Sequence, residues 1–144
     1  MVDNTKYKNM NIVTGISISV PSFMSSFHPP NLNCDSENVV YLLFCNSCDN
    51  GVYIGETRTH FRLRFNNHKK SIRDNSRGFP VAEHFNLPNH SLLNLKCVLL
   101  ASNFRSDSER KISEIQFILR FKTHVNGLNK DLGPLNHYTF YKHP

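Results

Sequence analysis

Tryptophan is absent from this 144-residue chain, and eleven Phe supply much of the packing material a core needs. No stretch approaches the roughly 18 apolar residues of a membrane-spanning helix. The longest apolar run is Val39 to Cys45, so no membrane partner is expected. The polar stretch from Met1 to Gly15 has no apolar centre of the kind that marks a secretory signal. No internal repeat is visible, which excludes a solenoid. Acidic residues are outnumbered, 11 Asp and Glu against 17 Lys and Arg, for a net charge of +6 and a pI near 9.3. Such a balance suits a polyanionic partner. Cysteine is sparse, with four in all. Two of them form Cys45-Asn46-Ser47-Cys48, which points to a reducing, intracellular compartment and to thiols free for metal.

The length fits one domain with a modest core. Residues 1–37 are rich in Asn, Ser and Pro and read as a poorly ordered or loosely attached lead-in, with one alternating segment, Ile16 to Val20, closed by Pro21. Residues 38–132 carry the domain, and 133–144 form a tail. Val39-Val40-Tyr41-Leu42-Leu43-Phe44 and Val52 to Glu56 read as paired strands. Their connection ends in Asp49-Asn50-Gly51, a turn sequence that permits positive φ. Thr57 is a plausible N-cap for a helix from Arg58 to Arg73, whose Phe61, Phe65, His68 and Ile72 share one face. Pro80 opens a short helical piece to Phe85, and Leu95 to Ala101 reads as a third strand. Ser106-Asp107-Ser108-Glu109 is a capping box, starting a helix to about Thr123.

Several side chains carry chemistry. Glu114 shares a stripe with Phe117, Ile118 and Phe121, so its carboxylate faces the packed side and needs a partner or a metal. A salt bridge to Arg110 or Lys111 would meet that need without any function. Arg64 and His68 stand one turn apart and can address one object. A core histidine bonded to backbone and a solvated surface arginine are the plain alternatives. Arg58, Arg62, Lys69 and Lys70 cluster nearby as a surface suited to phosphate. Tyr41 and Tyr53 can equally be sheet packing, Gly55 and Gly127 turn residues, and Asn129 a loop residue. Cys45 and Cys48 offer two sulfurs from one turn, half of a tetrahedral zinc site. His84 and His90 could complete it, with Cys34 as a substitute ligand; a redox pair or idle thiols are the alternatives.

The order Val39-Val40-Tyr41, Tyr53-Ile54-Gly55, Arg64-x-x-x-His68, Glu114 and Gly127-Leu128-Asn129 resembles the GIY-YIG nuclease domain. The Cys-x-x-Cys between the tyrosine motifs and the later histidine pair resemble the endonuclease domain of Penelope-like retroelements, which usually follows a reverse transcriptase. Val39-Val40 departs from the Gly-Ile of the family name. The resemblance spans about Cys34 to Asn129. It implies an α+β fold, a small three-stranded antiparallel sheet flanked by helices. It further implies a DNA endonuclease that nicks by hydrolysis, in a retroelement-derived context and in the nucleus. One Mg²⁺ (or Mn²⁺) would sit on Glu114, with Zn²⁺ as a structural staple. Tyr41 would serve as general base, Tyr53 and His68 as its helpers, and Arg64 as the phosphate clamp. Asn129 would orient Glu114 or the substrate, while Gly55, Arg62, Lys69 and Lys70 would contact DNA. A zinc-stapled nucleic-acid-binding module without cleavage is the alternative.

Overall fold

The computed structural model describes residues 31–129 together with Ile12, Val13 and Met24. Strand β1 is Ile12–Val13, β2 Glu37–Cys45, β3 Val52–His60 and β4 Leu95–Ala101. Helix α1 is Phe61–Arg73, α2 Pro80–Phe85, α3 Asp107–Phe121 and α4 Thr123–Asn126, with a 3₁₀ turn at Leu92–Asn94 before β4. The sheet runs β1-β4-β2-β3. The three long strands are antiparallel, as expected, and the two-residue β1 adds itself parallel to β4, pairing Ile12 with Cys97. Two residues of the lead-in therefore join the sheet, and Met24 is buried in the core. The alternating segment Ile16 to Val20 and the tail 133–144 lie outside the described residues.

Strand β2 is covered on both faces, which is why Val39 to Cys45 reads as a continuous apolar run rather than an alternation. Tyr41, Leu43 and Cys45 pack with Phe61, Phe65 and Phe85 under α1 and α2. Val40, Leu42 and Phe44 pack with Ile54, Val98 and Ile118 under α3. The result is a helix–sheet–helix sandwich, with β3 as the outer strand on its side of the sheet.

Three local expectations are corrected. Thr57 does not cap a helix: β3 continues through it, pairing Thr57 with Val39 and His60 with Glu37, and α1 starts at Phe61 behind His60. The Thr57 hydroxyl instead accepts the Thr59 backbone N–H at 3.2 Å, and β-branched residues favour the extended chain. Gly51 serves space rather than positive φ. A Cβ there would stand 2.3 Å from His84 Nε2 and 2.7 Å from Cys45 Cβ. The box at α3 is half as drawn. Ser106 Oγ accepts the Glu109 backbone N–H at 3.1 Å, but Glu109 reaches back to the Arg105 N–H at 2.7 Å rather than to the cap itself.

Strand β3 would expose unpaired backbone on its outer side, and the segment after α4 meets that need. The Leu128 N–H donates to Val52 O at 2.8 Å. Asn129 accepts from Ile54 N at 2.7 Å and donates to Ile54 O at 2.8 Å, all buried. The amide of Asn129 thus fastens the strand between Tyr53 and Gly55. Asn129→Ala leaves two buried backbone groups without partners and is expected to lower stability by about 2–4 kcal/mol. Denaturant unfolding measures it; a loss below about 0.5 kcal/mol would contradict this role.

Candidate active site

The β2–β3 register places Gly55 directly opposite Tyr41. A Cβ on Gly55 would lie 2.4 Å from Tyr41 Oη and 3.0 Å from Tyr53 Cε1. Only a missing side chain lets the Tyr41 ring cross the neighbouring strand and deliver its hydroxyl to helix α1. There, Arg64 Nε donates to Tyr41 Oη at 3.2 Å. Tyr41 Oη in turn meets His68 Nε2 at 2.7 Å. The rings of Tyr41 and Tyr53 both pack edge-on against His68, with centroids 5.7 and 5.6 Å away. Sequence spacing put Arg64 and His68 on one helical face, and the structure joins them at one phenol.

Electrostatics follow from this enclosure. Burial, with a smaller push from Tyr53, holds the fully buried Tyr41 phenol far above its ordinary range, despite the opposing pull of Arg64. The nearby cation does not lower it on balance, because desolvation outweighs one guanidinium. Tyr53, only half-buried, is raised too, first by burial and then by Glu114. Burial and the Arg64 charge push His68 down to about 4, so the ring is neutral at pH 7 and its Nε2 shares a hydrogen bond with the Tyr41 hydroxyl. Tyr41 and Tyr53 in turn strengthen the hold of Arg64 on its proton, Tyr41 most of all.

Glu114, on α3, completes the group. It is half-buried, and burial first, then the nearby Glu56, push its carboxyl up to about 7. Among the described residues it forms no hydrogen bond or ion pair, although Arg110 and Lys111 stand one turn before it. Arg110 pairs with Glu56 and Asp107 instead. Glu56 is the neighbour that sequence reading missed, because its partner Arg110 lies far along the chain on another element.

The expected DNA-contacting cations have intramolecular partners. Arg62 donates to Asp35 at 2.5 Å, Lys70 pairs with Asp74 at 2.6 Å, and Lys69 Nζ lies 4.9 Å from the Phe65 ring centroid. The two ion pairs are solvent-exposed and weak enough to exchange for phosphate.

A second cluster lies at the hairpin end. The ligand atoms of Cys45, Cys48, His84 and His90 all fall within 4.8 Å of one another. Cys48 Sγ is 3.2 Å from His84 Nε2. His90 Nδ1 meets the Pro88 carbonyl at 3.0 Å, leaving a buried Nε2 without a hydrogen-bond partner. Two thiols and two imidazoles gathered this closely are a donor set that fits a metal ion. Cys34, by contrast, sits in the core and accepts from Arg62 Nη2 at 3.4 Å.

No protein-family model and no curated protein matches the sequence. Among solved structures, the chain resembles the catalytic domain of homing endonuclease I-TevI. The TM-score is 0.55 at 16% identity, covering 64% of this chain and 96% of that one. The fold is therefore the α+β fold of the GIY-YIG nuclease domain, as the motif order implied. At this identity the likeness concerns the fold.

Protonation of His68 is readable in stability. Its folded value of about 4 lies below the ordinary 6.5, so the unfolded chain takes up the proton first and stability is lost as pH falls between those values. Glu114, raised, acts in the opposite sense, so the comparison is between His68→Gln and the parent. The variant should gain stability relative to the parent as pH drops from 6.5 towards 4. A difference that stays flat across that interval would contradict a buried, neutral ring.

Proposed function

We propose that this protein is a metal-dependent DNA endonuclease that hydrolyses phosphodiester bonds one strand at a time, in a retroelement-derived setting close to Penelope-like elements. The observation that carries the reading is the Arg64–Tyr41–His68 chain, with contacts of 3.2 and 2.7 Å, beside a carboxylate, Glu114, that has no hydrogen-bond or ion-pair partner among the described residues. The likeness of fold to a homing endonuclease catalytic domain supports it, and the net charge of +6 suits DNA.

Glu114 would hold the divalent cation. A single half-buried carboxylate with open oxygen positions suits Mg²⁺, which binds through one or two carboxylates and the substrate's phosphate. Bound there, the ion would stabilise the charge that develops on the phosphate and the leaving oxygen. Arg64 uses Nε on Tyr41 and also hydrogen-bonds Tyr53, so its guanidinium lies between the two phenols, where it would contact the phosphate. The half-buried Tyr53 stands at the solvent side, whereas Tyr41 is enclosed. A Tyr41 that takes a proton from water must release its own, and the neutral His68 at 2.7 Å is the acceptor. Cys45, Cys48, His84 and His90 would hold zinc as a staple between the β2–β3 hairpin and α2 with the segment that follows it. DNA as substrate implies work in the nucleus.

Supercoiled plasmid with Mg²⁺ tests the reading. The parent should nick, and Glu114→Ala should reduce the rate at least about a hundredfold while DNA affinity is kept. Equal rates would remove Glu114 from the chemistry. Salt-dependent binding without nicking under any divalent ion would favour the non-cleaving module.

The staple has its own test. Protein purified without added zinc should carry about one zinc atom per chain, and a strong chelator should lower the melting temperature. Absence of zinc, with melting unaffected by chelator, would contradict it.

A further inference from the structure

Arg110 is 3% exposed, the least exposed of the described charged residues, and it lies one turn before Glu114 on α3. Residues so spaced share a helical face and form ion pairs when nothing intervenes. Here the pair does not form. Arg110 Nε binds the Glu56 carboxylate on β3, while Nη1 donates to Asp107 Oδ1 at 2.8 Å and to Asn38 Oδ1 at 3.0 Å. Asn38 is itself built for this. It occupies the bulge in β2 with φ of 56°, a conformation asparagine tolerates, and anchors its own amide on Phe104 O at 2.7 Å. Glu56 follows Gly55, the residue over which Tyr41 lies.

We propose that Glu56, with Asn38 and Asp107, is a positioning residue that holds Arg110 away from Glu114, so that the catalytic carboxylate stays open to a divalent cation. The idea rests on the reading of Glu114 as the cation ligand. Without Glu56, a buried guanidinium loses its main counter-charge, which is costly. Asp107 still holds Nη1, and the other carboxylate one turn away on its helix face, open to the freed Nε end, is Glu114. Arg110 would close on it and block the site.

A simple structural clamp and a sequestering partner predict different genetics. If Glu56 only fastens α3 to the sheet, removing Arg110 as well cannot help. If Glu56 restrains Arg110, removing Arg110 recovers the site.

The experiment compares the parent, E56Q and E56Q/R110Q. Each is checked for native circular dichroism, for Mn²⁺ binding by electron paramagnetic resonance without DNA, and for plasmid nicking. E56Q should bind Mn²⁺ at least about tenfold more weakly, with nicking falling in parallel. E56Q/R110Q should recover both to within a few-fold of the parent. Parent-like Mn²⁺ binding by E56Q, or a natively folded double variant as weak as the single one, overturns the proposal. Should E56Q fail to fold, E56M/R110M keeps the bulk and removes both charges. It should fold and bind Mn²⁺, since apolar replacement of a buried pair is often tolerated; a native fold without Mn²⁺ binding overturns the proposal. A parent that binds Mn²⁺ but never nicks removes the nuclease reading and leaves the Arg110 comparison to be decided by Mn²⁺ affinity alone.

Discussion

Tyr41 lies across Gly55, and the rest of the site depends on that crossing. A methyl group at Gly55 would stand 2.4 Å from the phenol oxygen, so the absence of a side chain on β3 decides where a side chain of β2 can go. The tyrosine then reaches α1, and Arg64 and His68, one turn apart, close on one oxygen. From the outer side, Asn129 fixes the strand that carries Tyr53 and Gly55 by binding Ile54. Backbone pairing, one glycine and one amide thus set the geometry before any catalytic group acts.

Desolvation dominates the electrostatics of this enclosure. It keeps Tyr41 protonated, His68 neutral and Glu114 reluctant to ionise, each against or beyond the pull of Arg64. Tyr41 and His68 are therefore poised as a neutral hydrogen-bonded pair beside one fixed cation, with Glu114 nearby. On the proposed reading, an incoming phosphate with a divalent ion would bring the charges this assembly lacks, and the half-buried Tyr53 and Glu114 would meet it.

Much of this was legible from residues alone. The uninterrupted apolar run of β2 marked a strand covered on both faces, and the helical spacing of Phe61, Phe65 and Ile72 marked the buried side of α1. The resemblance in motif order gave the fold, and the Cys and His pairs gave a cluster the structure closes to within 4.8 Å. What stayed hidden depends on contacts between distant segments. Thr57 could not be recognised as strand, because its partner Val39 is eighteen positions away and a capping hydroxyl looks the same in sequence. The place of Asn129 depends on Ile54, and that of Glu56 on Arg110, pairs that no local pattern announces.

A crystal structure of the protein with a short DNA duplex and Ca²⁺, which binds like Mg²⁺ but supports little cleavage, bears most directly on the central claim. The account predicts a backbone phosphate between Arg64 and Tyr53, with the cation bridging it to Glu114. DNA seated on another face of the molecule, with Tyr53, Arg64 and Glu114 untouched, would contradict it.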